Sequence, residues 1–253
     1  MKFTVIIPAL NEEKTIAHVV DAACQSQATD IIVIDSDSLD NTASIAQHHG
    51  ARVYNWREIL PHIPCQPGKG EALWRGVYAA QTEAIVFVDA DVEKLSPESI
   101  NALAQPLTNP AIDLVKAHYT RTYQGQATGG GRVTELCAKP LLKHLFPHLS
   151  HIHQPLAGEY AIRRSFALGA EFAPGYGVEV GLLIDAANPT QVPLPPRVHR
   201  NRPLHELADM ADIVAATILS KAGIGTMNYR PPLNHIDTFF PPPSTPFCEK
   251  ERS

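Results

Sequence analysis

Ala84-Ile85-Val86-Phe87-Val88-Asp89-Ala90-Asp91 decides the fold. Its first five residues are apolar without alternation, the pattern of a strand buried on both faces rather than on one. Similar runs precede it: Phe3-Thr4-Val5-Ile6-Ile7 stops at Pro8, and Ile31-Ile32-Val33-Ile34 stops at Asp35-Ser36-Asp37-Ser38. The spacing predicts a helix over 11–26 with acidic residues in its first turn, and helices over 41–49 and 71–81 with a strand over 51–54 between them. Alternating strands and helices with buried strands define an α/β fold, a mainly parallel central sheet with helices on both faces. Ligands of such sheets gather at the carboxyl ends of the strands, so the segments 8–12, 35–38 and 89–91 are expected to face one cleft.

Downstream the pattern predicts a helix over 96–107, a strand over 113–118, a helix ending at Leu145, strands over 158–162 and 190–194, and a last long helix over 203–222. Gly129-Gly130-Gly131 interrupts this half, and Pro241-Pro242-Pro243 marks a loose tail. The expected organisation is one compact unit of two halves, 1–125 and 126–253.

The composition, 44% hydrophobic and 19% charged in 253 residues, is that of a soluble globular chain. A net charge of −5 without a basic run argues against nucleic acid as a partner. No apolar run reaches membrane-spanning length, and the start MKFTVIIPAL lacks the parts of a signal peptide, so no membrane partner and a cytoplasmic location are expected. Cys24, Cys65, Cys137 and Cys248 are too scattered for a zinc site and read as ordinary thiols.

Asp89 and Asp91 are closely placed carboxylates at a strand's exposed end, able to hold a divalent cation that keeps positions open for a diphosphate. An oxygen-only site favours Mg2+ or Mn2+. Taken alone, the pair is equally a solvated turn. Pro67-Gly68-Lys69-Gly70-Glu71 puts a glycine-flanked lysine before a helix, where charge and helix amides suit a phosphate. Arg132 and Thr134, after the triple glycine, offer donors of the same kind.

The first half resembles the glycosyltransferases of the GT-A fold, a Rossmann-like nucleotide-sugar-binding architecture. The second half narrows the resemblance: Gly129-Gly130-Gly131-Arg132-Val133-Thr134-Glu135-Leu136, Gln154-Pro155-Leu156-Ala157-Gly158-Glu159-Tyr160, Pro174-Gly175-Tyr176-Gly177-Val178-Glu179 and His199-Arg200-Asn201-Arg202-Pro203 are similar to motifs of the glucosyl-3-phosphoglycerate synthase family. That family implies retaining transfer of glucose from a nucleoside diphosphate, UDP-glucose above all, to the 2-hydroxyl of 3-phosphoglycerate. GDP-mannose, used by the mannosyl relatives, stays open as donor, as does a non-catalytic nucleotide-sugar-binding protein.

The resemblance implies donor contacts from Pro8, Ala9, Leu10, Asn11, Glu12, Ser38, Lys69, Asp89, Ala90, Leu156 and Tyr176. It implies acceptor contacts from Gly131, Arg132, Thr134, Val178 and Asn201, and metal ligation by Asp89, Asp91 and His199. Catalytic roles then fall to Lys69, Asp91, Glu179 and Asn201, in a homodimer. By their residue types alone, Asn11 equally caps a helix, Glu179 equally caps its own, and His199 equally belongs to a basic surface loop.

Overall fold

The predicted strands form where apolar runs leave backbone groups no partner but a neighbouring strand. The computed structural model describes residues 1–122, 131–198 and 207–236. Its elements are β1 (Phe3–Ala9), α1 (Ile16–Gln25), β2 (Asp30–Asp35), α2 (Thr42–His48), β3 (Arg52–Asn55), α3 (Lys69–Ala79), β4 (Ala84–Phe87), α4 (Pro97–Ala104), β5 (Leu114–His118) and β6 (Arg121–Thr122). There follow α5 (Lys139–Leu145), β7 (Tyr160–Arg163), α6 (Arg164–Gly169), α7 (Val178–Asp185), β8 (Pro189–Pro193), β9 (Arg197–Val198) and α8 (Ala208–Lys221).

One sheet has the order β3-β2-β1-β4-β7-β5-β8, and β6 pairs with β9 apart from it. Every neighbouring pair in the large sheet is parallel except those that β7 makes with β4 and β5. The order reverses at β1, with β2 on one side and β4 on the other, which opens a crevice at the carboxyl ends of β1 and β4. β7 comes from the second half of the chain and lies between β4 and β5, so both halves build one sheet.

Alternate strand residues feed two layers. Ile6, Ile32, Ile34, Ile85 and Phe87 pack with α3, α7 and α8 on one face. Val5, Ile7, Ile31, Val33 and Val86 pack with α1 and α4 on the other. Each such side chain contributes roughly 1.5–3 kcal/mol by leaving water. Phe87 packs at a tilt against Tyr160 with ring centroids 4.8 Å apart, so Phe87→Ala would open a cavity costing about 3–5 kcal/mol.

α3 lies deepest. Its Glu71 and Arg75 are buried, Arg75 Nε lies 2.7 Å from Glu71 Oε1, and Arg230 reaches the same carboxylate with Nη2 at 2.8 Å. Trp74 Nε1 donates to the Pro231 carbonyl at 2.9 Å, which pins the chain around Arg230 to α3.

Several boundaries differ from the sequence pattern. The first helix starts at Ile16 rather than Asn11, and no acidic residue stands in its first turn. Asn11 is left-handed at φ 56°, and the amides of Glu12 and Glu13 bond Thr42 Oγ1 and Asp40 Oδ2 instead of a helix. α3 starts at Lys69 rather than 71, and α4 ends at Ala104 rather than 107. The helix after the triple glycine opens with a widened π turn, Thr134–Ala138, before α5. The tail with Pro241-Pro242-Pro243 lies outside the described residues.

Candidate active site

The crevice between β1 and β4 is a cleft of about 1000 Å³. It gathers most of the residues singled out in the sequence. Pro8, Ala9, Leu10 and Glu12 line it after β1, Lys69 from the start of α3, and Asp89, Ala90 and Asp91 after β4. From the second half come Gly131, Arg132, Thr134, Leu156, Tyr176 and Glu179.

Asn11, Ser38 and Val178 are not among the lining residues. The Asn11 amide donates to Ser38 Oγ at 3.0 Å and the Leu39 amide to Asn11 Oδ1 at 2.8 Å, so both polar groups stitch the β1 loop to the β2 loop. Val178 is fully buried in the core, because the first turn of α7 points its apolar side chain at the sheet. His199 and Asn201 lie outside the described residues.

The start of α3 is held close to the loop before α7. Gly68 has φ 107°, and a Cβ on it would meet Gly175 Cα at 2.9 Å; a Cβ on Gly70 would lie 2.0 Å from the Ala173 oxygen. Only glycine permits that approach. It brings Lys69 between two carboxylates: Nζ lies 2.6 Å from Glu179 Oε1 and also pairs with Asp89 Oδ1. Burial opposes the ammonium, but Asp89 and Glu179 outweigh it and hold the Lys69 pKa well above its ordinary value. The lysine expected to meet a phosphate directly is thus already engaged by two anions, and from there it also touches the cleft.

The aspartates occupy different settings. Asp89 is partly buried, paired with Lys69 and packed on Gly158, where a Cβ would lie 1.9 Å from Oδ2. Asp91 is exposed on the cleft wall. Among the described residues, no group of three or more His, Cys, Asp or Glu is arranged to hold a metal ion. A hard cation such as Mg2+ needs only one or two carboxylates when a diphosphate and water supply the rest, and Asp89 and Asp91 with open space beside them fit that requirement.

Sequence reasoning gave no role to Glu159, Arg197 and Tyr119, which also line the cleft. Arg197 Nη2 lies 2.9 Å from Glu159 Oε1, and its guanidinium covers the Tyr119 ring at 5.4 Å. Glu159 Oε2 is buried with no hydrogen-bond partner. Burial pushes the Glu159 pKa up, Arg197 opposes that, and the Asp89 charge adds to it. Lys116 lies behind this wall, fully buried, and burial lowers its pKa to about 7 against the pull of Glu179.

Residues 4–159 match the model of glycosyl transferase family 2. The chain is 46% identical over 238 residues to a glucosyl-3-phosphoglycerate synthase of Mycobacterium tuberculosis, covering 87% of this chain and 74% of that protein. With the synthase of Petrotoga mobilis the identity is 43% over 239 residues, 87% of this chain and 73% of the other. A crystal structure of the M. tuberculosis enzyme in complex with Mn2+, UDP-glucose and phosphoglyceric acid superposes with a TM-score of 0.83 at 41% identity, covering 92% of this chain and 90% of that one. Family match, sequence identity and superposition agree, and the chain belongs to glycosyl transferase family 2 and, within it, to the glucosyl-3-phosphoglycerate synthases.

Proposed function

We propose that this protein transfers glucose from UDP-glucose to the 2-hydroxyl of 3-phosphoglycerate, releasing UDP and glucosyl-3-phosphoglycerate. The observation that carries the proposal is the joining of Lys69, Asp89 and Asp91 with Gly131, Arg132 and Thr134 around one cleft, in a chain so similar to an enzyme crystallised with Mn2+, UDP-glucose and phosphoglyceric acid.

In this reading Asp91, with Asp89 beside it and His199 as a further ligand, holds Mg2+ or Mn2+. The cation supplies positive charge where negative charge gathers on the leaving diphosphate. Pro8, Ala9, Leu10 and Glu12 with Ala90, Leu156 and Tyr176 receive the donor. Lys69 fixes the orientation of Asp89 and Glu179 and adds its charge to the diphosphate end of the cleft. Arg132 and Thr134 anchor the acceptor's phosphate or carboxylate, and Gly131, in the left-handed conformation at φ 74°, lets the backbone turn into the helix that presents them. Holding the 2-hydroxyl against the anomeric carbon supplies much of the rate, since positioning can account for several kcal/mol of barrier.

Transfer with retention then proceeds on one face of the sugar, the departing phosphate oxygen taking the acceptor's proton. Glu179 is held against Lys69 and steadies the site rather than attacking the sugar. Asn201 is assigned to the reacting groups. The protein is taken as a cytoplasmic homodimer; among the described residues no helix is long and apolar enough to cross a membrane.

The test pairs purified protein and Mg2+ with UDP-glucose, GDP-glucose, ADP-glucose or GDP-mannose, and with 3-phosphoglycerate or unphosphorylated glycerate. Transfer to 3-phosphoglycerate with UDP-glucose preferred is expected. Absence of transfer to it from every donor would overturn the proposal.

A further inference from the structure

Lys116 has no part in the chemistry above, does not line the cleft and is completely buried in the middle of β5. Methionine would fill similar space without removing a charge from water, so what lysine alone supplies there is its hydrogen-bonding ammonium. Nζ donates to the Ala157 carbonyl at 2.6 Å and sits 4.5 Å from the centroid of Tyr160, its cross-strand neighbour. The next residue of β5 acts on the same segment, as the Ala117 amide donates to the Glu159 carbonyl at 3.1 Å. Gly158 is thus bracketed by bonds to β5 on both sides, and the Asp89 carboxylate rests on it.

We infer that Lys116 is a positioning residue of the catalytic centre: by holding the Ala157 carbonyl it fixes the Ala157-Gly158 peptide, and through it the orientation of Asp89 toward Lys69 and the cleft. The contacts run in one line from Lys116 to Ala157, from Gly158 to Asp89, and from Asp89 through Lys69 to Glu179. Without the ammonium, the buried carbonyl loses its donor and the peptide is free to rotate away from the carboxylate. The inference rests on the reading that Asp89 belongs to the donor site.

The test compares Lys116→Met and Lys116→Gln with the wild-type protein. Melting temperature is measured without ligand, affinity for UDP with Mn2+ by calorimetry, and kcat and KM where transfer is observed. For Lys116→Met the expectation is a melting temperature no lower than wild type, UDP affinity weakened about tenfold, kcat lowered about tenfold or more, and acceptor KM nearly unchanged. Lys116→Gln, which keeps a donor on a shorter arm, recovers part of both losses. If Lys116→Met binds UDP with Mn2+ as wild type does, the inference is overturned, whether or not the wild type transfers glucose. It is equally overturned if both variants lose binding and activity only in proportion to folded protein, since that is the behaviour of a packing residue.

Discussion

Gly158→Ala isolates the contact on which the Asp89 carboxylate depends. A Cβ at this position would lie 1.9 Å from Asp89 Oδ2, 2.5 Å from Cγ and 2.8 Å from Oδ1. Ordinary contact starts at 3.4 Å, so the nearest oxygen must retreat by 3.4 − 1.9, or about 1.5 Å. Asp89 is paired with Lys69, which is itself held by Glu179, so the displacement spreads through the whole cluster. The backbone gives alanine no difficulty, because Gly158 is not among the positive-φ glycines. Overpacking of this kind costs about 1–3 kcal/mol of stability. Misplacement of a catalytic group by about 1 Å costs on the order of 100-fold in rate. Steady-state kinetics with UDP-glucose and 3-phosphoglycerate, alongside thermal denaturation, separate the two effects. Wild-type kcat in a folded Gly158→Ala protein would refute the reasoning, because Asp89 would then tolerate a shift the geometry makes unavoidable.

Other expectations follow from the same geometry. Glu71→Gln leaves the Arg75 and Arg230 guanidiniums facing a neutral amide in the core, and urea denaturation should register a loss of about 3–5 kcal/mol; a loss below about 1 would deny the pairing its role. Arg132→Ala should raise the KM for 3-phosphoglycerate about tenfold or more while leaving that for UDP-glucose nearly unchanged, and equal effects on both would contradict its place in the acceptor site. Lys116 has a folded pKa of about 7 against an ordinary 10.5, so its charge destabilises the fold fully below pH 7, progressively less as pH rises, and not at all above 10.5. Lys116→Met should therefore gain stability, on the order of 1–4 kcal/mol after loss of the Ala157 bond, near pH 6, and that gain should shrink toward pH 10; a gain independent of pH would refute the burial of a charged lysine.

The parallel part of the fold was legible because β1, β2 and β4 announce themselves as unbroken apolar runs, and the rule that ligands meet parallel strands at their carboxyl ends led directly to Asp89 and Asp91. The same rule hid Glu159. β7 is antiparallel, so its amino end, not its carboxyl end, meets the cleft, and Leu156, Gly158 and Glu159 reach the site from before the strand. Strand direction is a property of pairing, which no local pattern encodes. Lys116 was passed over for a related reason: a lysine inside an apolar strand carries no signal of which neighbour its ammonium will find. Asn11 and Ser38 have the residue types of nucleotide contacts and of loop ties alike, and the left-handed turn at Asn11 and the Ser38 contact display the loop tie, which depends on a partner 27 positions away. The loop that seats Lys69 could be read only as glycine-rich. That its glycines serve close approach to Ala173 and Gly175 depends on residues about a hundred positions away.

The central claim is one reaction, and proton and phosphorus NMR of a single mixture follows it directly. Purified protein with Mg2+, UDP-glucose and 3-phosphoglycerate should release UDP in step with a new α-anomeric signal from glucosyl-3-phosphoglycerate, and omission of 3-phosphoglycerate should abolish both. UDP release accompanied by free glucose alone, or no change in the mixture beside an active M. tuberculosis enzyme, would contradict the account.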